Sequence, residues 1–185
     1  MATPFNIVRF RTELLEGGAR PNQFSVQLTF PGYVQAGRAA GSSSEFLITA
    51  AELPGQTIGT TSVFYRGREL KMAGDRVFAP FAFTVLNDGG FTLRTSLERW
   101  MNGIENRINK TGTDVASQYQ SDVIVTQLDR NGNMLKQYLL RGAFPIEIGP
   151  VSLDFGANDQ ISVFQAVLQY QTFEIFEADT NTRGQ

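Results

Sequence analysis

The stretch QFSVQLTF, residues 23–30, gives the clearest signal of the fold class. Apolar side chains occupy every second position of this stretch, and polar side chains occupy the positions between them. Because successive side chains of a strand point to opposite faces, the pattern predicts a strand with one buried face. Pro31-Gly32 follows directly and ends the strand.

Similar runs recur along the chain. The strand-like runs are Glu45–Leu53, Ile58–Tyr65, Phe81–Leu86, Asp122–Asp129, Met134–Leu140, the alternating trio Val151, Leu153 and Phe155, and the long run Gln160–Phe176. Asn131-Gly132 predicts a hairpin between two of these runs, because both residues tolerate positive φ. Residues 33–44 are small and flexible and predict a loop or mobile arm.

One principal helix is predicted, at about residues 96–109. Apolar side chains share one helical face at Leu97, Trp100, Met101, Ile104 and Ile108. Thr95 and Glu98 match a capping box, and Gly112 lies just past the expected end. We expect the first four apolar residues to anchor the helix on the core. The predicted fold is therefore mainly β, with two packed antiparallel sheets in a sandwich or small barrel and one principal flanking α-helix.

Composition excludes several classes of function. The chain has 185 residues, no cysteine, no histidine and a formal net charge of −2. Disulfides, zinc sites built from Cys or His, and catalytic sets that depend on histidine are therefore impossible. We expect no cofactor and no metal. No apolar stretch approaches the ~18 residues that a membrane span needs, so we also expect no membrane anchoring by this chain.

Charge is unevenly distributed along the chain. Residues 1–141 carry fifteen basic and twelve acidic side chains, whereas residues 142–185 carry Arg183 against six acids. The difference is compatible with chance in a small protein. It is also compatible with a surface that is complementary to itself, basic at one end and acidic at the other.

Two segments carry charges that a function might use. Residues 66–76, RGRELKMAGDR, should project as a basic loop between two strands, with its cations at Arg66, Arg68, Lys71 and Arg76. Because aromatic residues do not interleave with these cations, a protein–protein contact is favoured over nucleic-acid binding. Asp154 and Asp159 are a candidate carboxylate pair for a hydrolase. They flank a turn, however, where acids are common for local reasons.

Eight short stretches follow one another in a characteristic order. They are Ala19-Arg-Pro-Asn-Gln-Phe24, Ala51-Glu-Leu-Pro-Gly55, Gly67–Arg76 with its Ala-Gly-Asp-Arg core, Phe81–Asp88, Leu97-Glu-Arg-Trp100, Gly142-Ala-Phe-Pro145, Leu153-Asp-Phe155 and Ile161–Phe173. Together they resemble the tail tube protein family of contractile-tailed bacteriophages, which is similar to tube subunits of type VI secretion and of contractile bacteriocins. The chain is accordingly divided into an N-terminal arm (1–18), a β-sandwich domain (19–176) and a polar C-terminal tail (177–185).

The resemblance implies a structural protein and not an enzyme. It implies homohexameric rings that stack into a tube inside a tail sheath, with baseplate and tail terminator proteins at the ends. Genomic DNA would pass through the lumen without sequence-specific binding, and the location would be the virion tail tube, assembled in the host cytoplasm. The basic segment would contact a neighbouring subunit or ring. The alternatives are a tube subunit of a bacteriocin or secretion-type injection system and, outside this class, a carbohydrate-binding or hydrolytic β-sandwich.

A tube lumen that passes DNA should carry polar and acidic side chains and few unpaired cations. Duplex DNA has one negative charge per ~1.7 Å of axis, so unpaired cations repeated over many rings would form a long binding site that retains it. The candidate lining residues are Gln23, Ser25, Gln27 and Thr29 on the first strand, and Gln165, Gln169 and Gln171 on the last. The lysines Lys71, Lys110 and Lys136 should lie away from the lumen or be paired.

Overall fold

The computed structural model describes Ile7, Phe10 and residues 18–108, 110–112 and 115–177. From residue 18 onward this part contains nine strands and three helices. The strands are β1 (Phe24–Leu28), β2 (Ile48–Ala51), β3 (Gln56–Tyr65), β4 (Arg68–Phe78), β5 (Phe81–Leu86), β6 (Ser121–Leu128), β7 (Met134–Ile148), β8 (Val163–Gln169) and β9 (Thr172–Glu177). The helices are α1 (Gly37–Leu47), α2 (Thr92–Ile104) and α3 (Ala116–Tyr119). The predicted arm and tail lie almost wholly outside the described residues.

Seven of these strands form one antiparallel sheet that folds over on itself. The strand order is β1-β6-β7-β8-β5-β2, and β9 also pairs with β7. The long strand β7 serves both halves, because residues 136–141 pair with β9 and residues 144–148 pair with β8. We call β1, β6, the first half of β7 and β9 layer A. The second half of β7 together with β8, β5 and β2 is layer B.

Strand β7 passes from layer A to layer B at a corner. The chain returns from β8 in layer B to β9 in layer A at the same corner. Gly142, between the two halves of β7, has a φ of 64°, which favours glycine. Beside it, the amide of Gln171 donates to the carbonyl of Arg141 at 3.0 Å. The prediction of one continuous strand over Gln160–Phe176 is therefore wrong. The structure divides it into β8 and β9, because one straight strand cannot follow both layers around the corner.

A single hydrophobic core lies between the two layers. It is filled by alternate side chains of each layer, as the period-two pattern predicts. Layer A contributes Val26, Leu28, Val123, Val125 and Leu140, and layer B contributes Phe81, Phe83, Val85, Phe164 and Leu168. The predicted fold class, mainly β with two packed antiparallel layers and few helices, is confirmed.

The segment predicted as a loop at 33–44 is wrong, because most of it belongs to helix α1. Its buried residues are small, namely Gly37, Ala40 and Ser44, so they lack the large apolar side chains that normally indicate a helix. Small residues are required by the close approach of α1 to β1. A Cβ added at Gly41 would lie 2.6 Å from the carbonyl oxygen of Leu28. Consequently the run Glu45–Leu53 is strand only over β2.

Helix α2 begins and ends earlier than predicted. Asp88 caps its start, accepting from the Thr92 amide at 2.8 Å and from the Thr92 hydroxyl at 2.6 Å. The expected capping box is not formed, because Glu98 instead accepts from Arg94 at 3.0 Å. The backbone at Glu105 is extended and ends the helix. Ile108 therefore lies off the helix and is exposed, and Gly112 forms an isolated bridge with Glu105 instead of a helix cap.

Two further predicted elements differ from the structure. The trio Val151, Leu153 and Phe155 lies in an irregular loop over residues 149–162 and forms no strand. Residues 66–76 are not a loop, because only Arg66 and Gly67 form the turn and the rest belongs to β4. For the trio the alternating pattern was therefore wrong, since Leu153 and Phe155 are exposed, whereas residues 66–76 do project from the body but as a strand.

Candidate assembly surfaces

The β3–β4 hairpin is the most exposed element of the described fold. Every residue from 56 to 77 is exposed, although the two strands are ten and eleven residues long. The hairpin joins the body at Phe78, whose ring packs against Tyr170 at 5.9 Å and against Phe173 at 5.4 Å between centroids. A hairpin of this length that buries neither face is marginally stable alone in water. It therefore needs a partner surface.

The two faces of this hairpin differ in chemistry. Cross-strand partners include Val63 with Leu70 and Thr61 with Met72, which place an apolar stripe on one face. We call this stripe the hairpin face; its large side chains are Val63, Tyr65, Leu70, Met72 and Val77, all exposed. The opposite face is more polar, although Ile58 and Phe64 are also exposed on it. On it, Ser62 donates to Glu69 at 2.5 Å and Arg76 donates to Gln56 at 3.2 Å.

The four predicted basic contact residues all lie on this hairpin, but they do not share a face. Arg66 is in the turn, with its guanidinium 5.4 Å from the centre of the Tyr65 ring. Arg68 pairs with Tyr65 across the strands, on the side of the hairpin face. Lys71 and Arg76 lie on the polar face. Among the described residues none of the four forms an ion pair, so their charges are available to a partner.

A second exposed apolar surface lies in the loop 149–162, which we call the acidic loop. Leu153 is 88% exposed, Phe155 is fully exposed and Ile161 is 67% exposed. Asp154 and Asp159 are the loop's charged residues. Asp154 accepts from the Gly156 amide at 2.9 Å, which is an ordinary role for an acid in a turn. Within the described residues no group of acids is arranged to hold a metal ion.

The outer face of layer A carries an arginine whose positive charge is balanced by neighbouring carboxylates. Arg141 on β7 is 2.7 Å from Asp122 on β6 and 3.2 Å from Glu174 on β9, so three adjacent strands each contribute one charge. The hydrogen bonds that Arg141 donates to Glu174 and, second, to Asp122 raise its pKa above the ordinary value. Two carboxylates thus outweigh one guanidinium on this surface. Asp122 also accepts from the Gly142 amide at 3.2 Å, which ties the cluster to the corner.

The predicted lining glutamines do not form one surface. Gln27 lies on the outer face of layer A, where its amide donates to Glu45. Gln165 pairs with Thr84 on the outer face of layer B, and Gln169 lies on that same face. Gln171 is at the corner, beside Gly142. One wall of a tube can therefore hold Gln27 or the pair on β8, but not all of them.

The other predicted residues are placed as follows. Lys110 pairs with Glu105 at 3.2 Å and Lys136 pairs with Glu177 at 2.8 Å, whereas Lys71 is on the hairpin. Ser25 and Thr29 share the outer face with Gln27, and Gln23 is half-buried. The helix residues Leu97 and Trp100 are fully buried, while Met101 and Ile104 are half-buried.

Two functional features were missed from the sequence. The hairpin face had a signal, since apolar residues alternate on both sides of the turn at Arg66 and Gly67. It was overlooked because the charges of residues 66–76 suggested a loop. The Arg141 cluster had no local signal, because its partners are 19 and 33 positions away along the chain.

Comparison with known proteins identifies the family. The family model for phage tail tube proteins matches residues 19–176. The chain belongs to the phage tail tube protein family. The tail tube protein of Serratia phage KSP90 is 30% identical over 166 residues, which cover 87% of this chain and 92% of that protein. Tail tube proteins are structural components of the virion tail. The described part of this tail tube protein has no helix of the length and apolarity that a membrane crossing requires.

Two solved structures with the same fold are from an extracellular contractile injection system and from the anti-feeding prophage. A chain in the sheath–tube complex of an extracellular contractile injection system, in its extended state, has a TM-score of 0.64 at 16% identity and covers 90% of this tail tube protein and 97% of that chain. A chain of the anti-feeding prophage baseplate, six-fold symmetrised, has a TM-score of 0.62 at 17% identity and covers 88% and 97% of the two chains. At these identities the likeness concerns the fold.

Proposed function

We propose that this tail tube protein forms six-membered rings that stack into the inner tube of a contractile tail, and that it acts as a structural subunit without catalysis. The observation that carries the proposal is the β3–β4 hairpin, which exposes both faces over residues 56–77. Within the described residues a single copy has no surface that covers this hairpin. Neighbouring copies supply one, and repetition of the contact builds a tube.

The structural matches support the ring number and the partners. The anti-feeding prophage baseplate was symmetrised six-fold, and the contractile injection system pairs its tube with a sheath. We extend both properties to this chain: a homohexamer, a sheath outside the tube, and baseplate and terminator proteins at its ends. The phage relative at 30% identity favours a genome over protein or ions as the cargo.

We assign the outer face of layer A to the lumen. Strands β1, β6, β7 and β9 form this face. Among their central described residues Arg141 is the only cation, and it lies between two carboxylates. The outer face of layer B is more apolar, since Ala82, Leu86 and Val167 lie on it beside Gln165. A polar face with compensated charge does not retain duplex DNA, because it releases few counterions. On this assignment Gln27 lines the lumen and the glutamines of β8 face outward.

Hexamer formation and stacking are tested with the purified protein. Mass in solution should correspond to six copies, and negative-stain images at high concentration should show rings and tubes. Arg66→Glu with Arg68→Glu should abolish tubes while leaving the folded chain intact, whereas Arg20→Glu with Arg130→Glu changes the charge equally away from the hairpin and should not. A strict monomer at high micromolar concentration, even with its neighbouring tail proteins present, would contradict the proposal.

The lumen assignment is tested by removing the two carboxylate charges that balance Arg141. Asp122→Asn with Glu174→Gln keeps hydrogen-bond acceptors but removes both compensating charges from Arg141. Tubes of this variant should bind short duplex DNA at low salt, and added salt should release it. Addition of Arg141→Gln should restore the behaviour of the original tube. Unchanged DNA binding in the double variant would place layer A outside the lumen.

A further inference from the structure

Two apolar surfaces of this chain are exposed and lie far apart. The hairpin face presents five large side chains, and the acidic loop presents Leu153, Phe155 and Ile161. Both are unusual for a soluble surface, where large apolar side chains mostly occur singly. Each therefore calls for a covering partner.

The register of layer B places the two surfaces at opposite ends of the molecule. The hairpin leads into β5 at Phe81, which pairs with Leu168. The acidic loop leads into β8 at Val163, which pairs with Leu86 at the other end of β5. The carbonyl of Ser162 also accepts from the Asn87 amide at 2.9 Å, which holds the loop at that end. At ~3.4 Å per residue, β5 separates the two attachment points by roughly 17–20 Å.

The hairpin as a whole and the acidic loop carry opposite net charges, although of the four hairpin cations only Arg68 lies on the hairpin face. Residues 66–76 carry four basic side chains against Glu69 and Asp75. Residues 149–162 carry Asp154 and Asp159 and no basic side chain. Two hairpins would repel each other, and so would two acidic loops. The favourable pairing joins one hairpin to one acidic loop, and since the two lie at opposite ends, the loop must belong to another copy.

We propose that the hairpin face of one copy docks onto the acidic loop of the next copy along the tube. This inference rests on the proposed function and names the partner of the hairpin. The contact is head-to-tail, so it leaves a free hairpin at one end and a free loop at the other, and it extends without limit. A shallow cavity of about 350 Å³, lined in part by Pro150, Leu153 and Ile161, offers the hairpin side chains a site.

The absence of cysteine from the whole chain allows a direct test by disulfide formation. Leu70→Cys is combined in turn with Leu153→Cys, Phe155→Cys and Ile161→Cys, and the assembled tubes are oxidised mildly. Because a disulfide needs Cα atoms within about 7 Å, bonds form only between surfaces in contact. At least one combination should give a ladder of dimers, trimers and longer polymers on a non-reducing gel. The matched control is Ser62→Cys, on the polar face, with the same three loop variants.

The outcomes separate the inference from the proposed function. A ladder with Leu70→Cys that is lost with Ser62→Cys supports the docking. Mixing Leu70→Cys with the single loop variant that gave the ladder should then stop at dimers, as a head-to-tail contact requires. Tubes that form without any ladder would overturn the docking and leave the tube function intact, as would dimers from Leu70→Cys alone or equal ladders from both faces. If the unmodified chain forms no tubes, both proposals fail.

Discussion

Strand β5 and the β3–β4 hairpin follow the same alternating pattern, but among the described residues only β5 is covered by its own chain. Phe81, Phe83 and Val85 of β5 are buried against layer A, whereas Val63 and Leu70 of the hairpin are exposed. Alternation specifies which face of a strand is apolar, and it does not specify what covers that face. In β5 the cover is intramolecular, so its pattern supports folding. On the proposed function the hairpin is covered by another molecule, so its pattern supports assembly.

The largest effect on stability is expected in the hydrophobic core, at Trp100. Trp100 is fully buried, meets Phe30 edge to face at 5.3 Å, and donates to the carbonyl of Tyr119 at 2.6 Å. Trp100→Ala should lower the free energy of unfolding by about 3–5 kcal/mol. Thermal denaturation should show a melting temperature lower by roughly 6–20 °C. Phe64→Ala, in the hairpin, is the aromatic control and should change the melting temperature little. Equal decreases in melting temperature for Trp100→Ala and Phe64→Ala would mean that the hairpin contributes to folding as much as the core does.

The contact of α1 with β1 should show the next largest effect. Alanine normally favours a helix over glycine by about 1 kcal/mol. At Gly41, however, the added Cβ meets the Leu28 carbonyl oxygen, so Gly41→Ala should instead destabilise the chain by about 1–3 kcal/mol. Urea denaturation measures the difference, with Ser42→Ala on the exposed side of α1 as control. A more stable Gly41→Ala chain would show that α1 is free to move off β1.

A smaller effect is expected at the start of α2. Asp88→Ala removes the side chain that caps Thr92 and should cost about 1 kcal/mol of stability. The hydrogen bond from the Thr92 hydroxyl is the main cause that lowers the pKa of Asp88. Since the folded pKa is the lower one, the stabilisation is present above the ordinary carboxyl range near ~4 and is lost as the pH falls through the lowered value.

Unfolding curves at several pH values check this difference. The difference in free energy of unfolding between Asp88→Ala and the unmodified chain should decrease as the pH falls. Asp75→Ala, on the exposed hairpin, should leave stability close to that of the unmodified chain at every pH. A gap at Asp88 that is independent of pH would mean that the carboxylate charge contributes nothing to the cap.

The smallest effect on folding is expected at the hairpin face. Leu70→Thr with Met72→Thr keeps residues that suit a strand but removes much of the apolar surface. The free chain should retain its stability within about 0.5 kcal/mol per site, because neither side chain is buried. Sedimentation of the same variant should nevertheless show no tubes. A loss of stability as large as that of Trp100→Ala would mean that the hairpin belongs to the folding core.

The sequence predicted the layers well because their pattern is local. The strands β1, β5 and β6 were located from alternation, and Asp129 and Gly132 form the turn that the hairpin signal indicated. Helix α1 was missed because its packing uses Gly37, Ala40 and Ser44, whose small size is needed by β1 and is not visible as periodicity. The start of α2 was misplaced because Asp88 lies further upstream than the capping box that was matched.

The assembly surfaces were only partly predictable for a different reason. Four cations in a short segment are visible in a sequence, so residues 66–76 were predicted to be a contact region, although as a loop. The face that Arg76 takes depends on a bulge, because the register of β4 shifts between the partners of Ile58 and Thr60. Arg68 and Lys71 take opposite faces by simple alternation. The distribution of the glutamines over two layers depends on the corner at Gly142. Neither the shift nor the corner is encoded in a short window of sequence.

The hydroxyl of Ser44 has a consequence for how the chain avoids aggregation. It accepts from the Leu28 amide at 3.0 Å, and its single proton is shared between the carbonyls of Gly41 at 2.6 Å and Val26 at 3.0 Å; Leu28 and Val26 present these groups on the side of β1 opposite to β6. These are the backbone groups that an incoming strand would use to extend the sheet into an amyloid-like stack. A protein made to polymerise must avoid polymerising in the wrong way, and a buried serine closes this route. Ser44→Ala chains should therefore bind thioflavin and precipitate before they form ordered tubes.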